Sequence, residues 1–83
     1  MILKIKSIKV GMGGRLKKWR KSQKFTLNEL GKNIDATPGP LSQIENGKSF
    51  PSIETLGSLH QNTNINIMWL LFKEGKMIKN KID

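Results

Sequence analysis

From Arg15 onward the apolar residues recur at helical spacing. Leu16 and Trp19 stand three apart among Arg15, Lys17, Lys18 and Lys21, which predicts a strongly basic first helix over about 14–23. Thr26-Leu27-Asn28-Glu29 is a capping-box pattern, in which the threonine hydroxyl accepts from the Glu29 backbone N–H and the glutamate carboxylate reaches back. It opens a second helix with Leu27, Leu30 and Ile34 as its apolar face. That helix is expected to end at Asn33 or Ile34, because Asp35 tolerates a left-handed turn better than most residues. Thr37 then offers a cap and Pro38 stands at the first position of a third helix, where a missing N–H costs nothing. Leu41 and Ile44 are its inward positions and Gly47 its terminator. Ser52 caps a fourth helix reaching about Gln61, whose apolar residues Ile53, Leu56 and Leu59 fall every three positions. Asn66 caps a short fifth helix through Ile67, Met68, Trp69, Leu70, Leu71 and Phe72, closed by Gly75. Residues 77–83 are expected to fray.

Residues 2–10 follow a different pattern. They alternate partly, with Leu3 and Ile5 on one face and Lys4 and Lys6 on the other, which predicts a short strand. Gly11, Gly13 and Gly14 are expected to break any regular element, leaving either a flexible arm or an edge strand that pairs with a second copy. The predicted organisation is an arm or strand at 1–13, one domain at 14–75 and a basic tail at 76–83. Five short helices with brief connections make the fold class all-α, and the second and third, over 26–47, form a helix-turn-helix.

Composition narrows the function. With 83 residues the chain has room for one small core. Fifteen Lys and Arg against six Asp and Glu leave a charge of +9, of which +8 lies in residues 1–50. An excess so placed projects a positive potential that draws in polyanions. Without cysteine there is no disulfide and no thiolate metal site, as reducing compartments favour, so a cytoplasmic location is expected. Lysines interrupt the apolar residues at the N-terminus where a secretion signal needs about 7 to 15 in a run. No stretch approaches the roughly 20 apolar residues of a membrane span. A single His60 and six scattered acids form no metal-ligand cluster and no carboxylate pair at a recognisable spacing, so no metal, cofactor or enzymatic activity is expected.

The helical motifs together resemble the lambda-repressor-like, XRE-type helix-turn-helix domains of phage repressors and bacterial regulators. The resemblance covers about residues 14–75. It is carried by Arg15-Leu16-Lys17-Lys18-Trp19-Arg20, by Thr26-Leu27-Asn28-Glu29-Leu30 and by Leu41-Ser42-Gln43-Ile44-Glu45-Asn46-Gly47-Lys48, followed by Pro51-Ser52-Ile53-Glu54-Thr55-Leu56 and Asn66-Ile67-Met68-Trp69-Leu70-Leu71. It implies a five-helix DNA-binding domain whose third helix, about 37–46, lies in the major groove. Thr37, Pro38, Gly39 and Gln43 are then the base-reading positions, with glutamine suited to adenine and a proline ring to a thymine methyl. Phosphate contacts fall to Thr26, Asn28, Ser42, Asn46 and Lys48. The resemblance also implies a structural ion pair between Arg20 and Glu45, and a possible dimer contact at Trp69, Leu70 and Leu71. Relatives often carry glutamine where this chain has Leu27, and alanine where it has Gly31.

The resulting expectation is a transcriptional regulator that binds double-stranded DNA sequence-specifically. It would be a phage- or prophage-type repressor acting as a homodimer, with half-sites roughly 34 Å apart. The alternative is an antitoxin-like or adaptor protein whose main partner is another protein and whose DNA binding is autoregulatory. The limited hydrogen-bonding capacity of Pro38-Gly39-Pro40 keeps this alternative open.

Overall fold

The structure, a computed structural model, describes residues 5–79, with side chains described from residue 11. Five helices follow one another: α1 Ile5–Ser22, α2 Leu27–Ile34, α3 Pro38–Glu45, α4 Ile53–Asn62 and α5 Ile67–Phe72. α1 packs on α3 and α5, α2 on α3 and α4, and α4 on α5. One core joins Met12, Leu16 and Trp19 of α1 to Leu30 and Ile34 of α2, Leu41 and Ile44 of α3, Leu59 of α4, Ile65, and Trp69 and Leu70 of α5.

The expected arm or edge strand at 1–13 is corrected where it is described. Residues 5–10 are helical, and α1 runs unbroken through Gly11, Gly13 and Gly14; residues 1–4 lie outside the described residues. Helix is favoured because the inward stripe begins at Met12, four before Leu16, and Met12 is buried to 1%. Gly13 marks where α1 crosses the end of α3. A Cβ there would stand 2.7 Å from the Glu45 carbonyl oxygen and closer still to that of Ile44. A helical glycine costs about 1 kcal/mol relative to alanine, and here burial of Met12 and the close helix crossing offset it.

The helix-turn-helix forms through local chemistry. Thr26 caps α2 by accepting from the Glu29 N–H at 3.1 Å, while the Thr26 N–H donates to the Glu29 carboxylate at 2.8 Å. Asp35 closes α2 in the left-handed conformation, φ 57° and ψ 48°, and the Ala36 N–H donates to the Gly31 carbonyl at 2.8 Å. This turn is tight enough that a Cβ on Gly31 would run into the Ala36 carbonyl oxygen. Thr37 takes the extended N-cap conformation ahead of Pro38, but its hydroxyl makes no capping hydrogen bond.

On α4 Ile53 is 80% exposed, while Leu56 is half-buried and Leu59 fully buried. Repeated steps of three drift about 60° per step around a helix of 3.6 residues per turn, so Ile53 has rotated away by the time Leu59 points in. The end of α5 comes at Lys73, left-handed at φ 61°, two residues ahead of Gly75. Residues 77–79 then fold back instead of fraying. Asn66 N–H donates to the Met77 carbonyl at 2.9 Å, Lys79 N–H to that of Asn64 at 2.8 Å, and Ile65 and Ile78 form an antiparallel bridge. The return is fixed by the Asn66 side chain. It accepts from the Met68 N–H at 3.0 Å and donates to the carbonyls of Lys76 at 2.8 Å and Glu74 at 3.3 Å. Residues 80–83 lie outside the described residues.

Candidate nucleic-acid interface

The eight residues of α3 divide by helical phase. Leu41 and Ile44 enter the core. At 100° per residue the opposite side carries Gly39, Ser42, Gln43 and Asn46, with Pro38 at its flank and Pro40 on the far flank. Thr37, Pro38, Gly39, Pro40, Gln43 and Asn46 are exposed, whereas Ser42 is half-buried. The structure therefore brings Pro38, Gly39 and Gln43 to one accessible surface. Pro40 instead borders a shallow groove with Asp35, Ala36, Thr37, Ser52, Glu54 and Thr55.

The residues expected on phosphates border that surface. Thr26 and Asn28 are exposed at the start of α2. The capping box consumes the N–H groups of Thr26 and Glu29, which leaves those of Leu27 and Asn28 as the donors a helix start offers to an anion. Ser42 and Asn46 lie one turn apart on α3 and approach each other, with Asn46 Nδ2 donating to Ser42 Oγ at 3.4 Å. Lys48 is exposed in the loop after α3, and its backbone N–H donates to the Gln43 carbonyl at 2.9 Å. Lys17, Lys18, Lys21 and Lys24 are exposed on α1 and the turn that follows it.

Beneath this surface Arg20 and Glu45 are in contact. Arg20 Nε donates to Glu45 Oε2 at 2.7 Å, Nη2 to Oε1 at 3.0 Å, and Nη1 to the Phe25 carbonyl at 2.8 Å. The two side chains are only 10% and 4% exposed. The hydrogen bond to Glu45 raises the Arg20 pKa above its already high value, against the opposing effect of burial. One guanidinium thus ties the last turn of α3 to the end of α1 and to the turn entering α2. Glu45 thus faces inward.

Sequence reasoning missed several fixed points. Arg15 Nε donates to the Leu70 carbonyl at 2.8 Å and Nη2 to that of Leu71 at 3.2 Å, which clamps α1 on the end of α5; burial lowers the pKa of this guanidinium. Trp19 Nε1 donates to Asn64 Oδ1 at 2.8 Å, and Asn64 Nδ2 to Gln23 Oε1 at 3.1 Å. Carbonyl acceptors have no residue-type signature, so nothing in the sequence marked Arg15. Trp69 and Leu70, expected as possible dimer contacts, are 9% and 0% exposed and belong to the core, and Leu71 is half-buried. The exposed apolar residues of α5 are Met68 and Phe72, at 49% and 48%.

Among the described residues no group of three His, Asp or Glu side chains could hold a metal ion. None of the described helices is long and apolar enough to cross a membrane. A family model described as a helix-turn-helix domain matches residues 13–76. No curated protein and no solved structure matches the chain.

Proposed function

The chain belongs to the helix-turn-helix domain family, in keeping with the XRE-type resemblance of its motifs, and from that premise we propose that it binds double-stranded DNA sequence-specifically as a transcriptional regulator. The proposed form is a phage- or prophage-type repressor acting as a dimer. The observation that carries this reading is the division of α3. Leu41, Ile44 and Glu45 are committed to the fold, while Gln43, Asn46 and the Pro38-Gly39 turn stand exposed for a partner. The +8 charge of residues 1–50 supplies sequence-independent attraction to phosphate. Repression needs no chemistry, since occupying a promoter is sufficient.

Base reading falls to Thr37, Pro38, Gly39 and Gln43, and phosphate contact to Thr26, Asn28, Ser42, Asn46 and Lys48. A dimer would use Met68 and Phe72 in place of the buried Trp69 and Leu70. Gel shifts at two salt concentrations, comparing random duplexes with duplexes selected from a random pool, test the proposal. Equal affinity for both would refute sequence-specific binding. Gln43→Ala should relax preference at one base position by about 1–3 kcal/mol. Lys48→Ala should weaken all sequences alike and reduce the salt slope by about 1. The adaptor alternative draws on the donor-poor start of α3, and it predicts a different protein that copurifies in fixed ratio while duplex selection yields no consensus.

A further inference from the structure

We propose that Asn46 and Gly47 form a self-modifying site, in which the backbone at the end of α3 slowly converts the Asn46 amide to a carboxylate and so weakens DNA binding. The conversion needs no partner, whereas its effect on affinity rests on the DNA-binding reading above.

The chemistry is local. Of the chain's seven asparagines only Asn46 precedes glycine, while Asn33, Asn62, Asn64 and Asn66 precede the β-branched Ile or Thr. A side chain on the following residue crowds its backbone nitrogen, and glycine leaves that nitrogen open. Once deprotonated, the Gly47 nitrogen can attack the carbonyl carbon of the Asn46 side chain. A C–N bond forms there, the bond to the amide nitrogen breaks, and that nitrogen takes up a proton and leaves as ammonia. One water then opens the resulting five-membered imide at either carbonyl. The product is aspartate, or isoaspartate with the main chain rerouted through the side chain. One water is consumed and one ammonia released, with no change of oxidation state.

The fold imposes this pair and also restrains it. Gly47 closes α3 at φ 77°, in the left-handed region that favours glycine, although a Cβ there would meet nothing within 4 Å. Glycine is thus fixed by backbone angle. Asn46 is the exposed C-cap, at ψ 4°. The Gly47 N–H donates to the Ile44 carbonyl at 3.0 Å and the Lys48 N–H to that of Gln43 at 2.9 Å. The Asn46 amide points back along the helix and donates to Ser42 Oγ at 3.4 Å. With the nucleophile engaged and the amide drawn away from it, ring closure waits for the last turn of α3 to open. The neighbouring Glu45, held by Arg20, keeps that turn shut. The ion pair is therefore the gate on the reaction.

The consequence falls on the outward side of α3, where Asn46 stands with Ser42 and Gln43. A new carboxylate there repels DNA phosphates, whatever the base sequence. Isoaspartate also adds a carbon to the main chain at the cap. A duplex held against this side keeps the turn closed, so free protein ages faster than bound protein.

The test ages the full chain at mildly alkaline pH and locates aspartate and isoaspartate by proteolysis and mass spectrometry. Native protein, protein in urea and protein on a duplex selected from a random pool are compared. Conversion is expected at Asn46 ahead of every other asparagine, fastest in urea and slowest on the duplex. Glu45→Gln, which weakens the ion pair while keeping its shape, should raise the native rate severalfold and leave the rate in urea unchanged. Aged protein should bind duplexes severalfold more weakly, with a similar loss on every sequence, and fresh Asn46→Asp should lose affinity in the same way. Asn46→Gln, whose longer side chain disfavours the ring, should keep its own starting affinity through ageing. A native chain that never converts while the chain in urea does, conversion spread evenly over the asparagines, a Glu45→Gln rate equal to the parent's, or aged protein with undiminished affinity would each overturn the inference and leave DNA binding standing. Recovery of no duplex would overturn the DNA-binding reading and with it the effect on affinity, while conversion at Asn46 would still establish the modification.

Discussion

Glu45→Ala would leave the Arg20 guanidinium with one of its three partners, the Phe25 carbonyl. Arg20 is only 8% exposed, so water cannot readily replace the lost carboxylate. Hydrogen bonds to charged groups contribute about 1.5–3 kcal/mol each, and removing one partner of a buried pair costs roughly 3–5 kcal/mol. A domain of this length is stable by only about 4–12 kcal/mol, taking roughly 0.05–0.15 kcal/mol per residue. The single substitution should therefore remove from a quarter to all of the stability. Replacing both partners, as Arg20→Met with Glu45→Leu, should recover most of the loss because no charge is then stranded. Urea unfolding followed by tryptophan fluorescence and far-ultraviolet circular dichroism, extrapolated linearly to water, gives both values. A cost below about 1 kcal/mol for Glu45→Ala, or a double variant no more stable than the single one, would refute the argument. Because the Glu45 bond raises the Arg20 pKa, the guanidinium's share of stability is complete in the neutral range and is lost as the pH rises into strong alkali. At a temperature where Glu45→Ala is folded its base preference should match the parent's. A changed preference at one base pair would make Glu45 a reader instead.

Other substitutions give opposite signs for the same chemistry. Gly57→Ala, in open space on α4, should stabilise by about 0.5–1 kcal/mol. Gly31→Ala and Gly13→Ala should each destabilise by about 1–3 kcal/mol, since their Cβ atoms meet backbone carbonyls that can move only with α3 or its turn. Thermal melting separates the two groups, at about 4–8 °C per kcal/mol. Asn66→Ala removes a cap and two bonds to the returning segment, so a loss of about 1–3 kcal/mol is expected, with faster amide exchange at Asn66 and Lys79.

The elements most legible from the sequence were those fixed by local side-chain chemistry. Thr26 and Glu29 specify their capping box within four residues, and Asp35, Ser52 and Asn66 act as the turn and cap residues their types suggest. The start of α1 was hidden because a run of three glycines in four residues reads as a breaker. Gly13 makes sense only when the carbonyls of Ile44 and Glu45, some thirty residues away, are known to lie against it. The return of residues 77–79 was hidden likewise, since backbone bonds to Asn64 and Asn66 leave no mark on residue type. Within the candidate interface, helical period alone separates the outward residues of α3 from Leu41 and Ile44. Which apolar residues of α5 stay exposed required the packing itself.

Fastening α3 at its far end has an evolutionary consequence. The bond between Arg20 and Glu45 and the seating of Leu41 and Ile44 hold the helix without help from residues 39 and 43. Surface substitutions away from packed or bonded groups typically change stability by no more than about 0.5 kcal/mol. New residues at 43 can therefore be sampled almost independently of foldability, whereas at 39 the following Pro40 disfavours a helical residue that carries a Cβ. A scaffold of this kind can be retargeted by a few point mutations, drifting among binding preferences while its architecture stays the same.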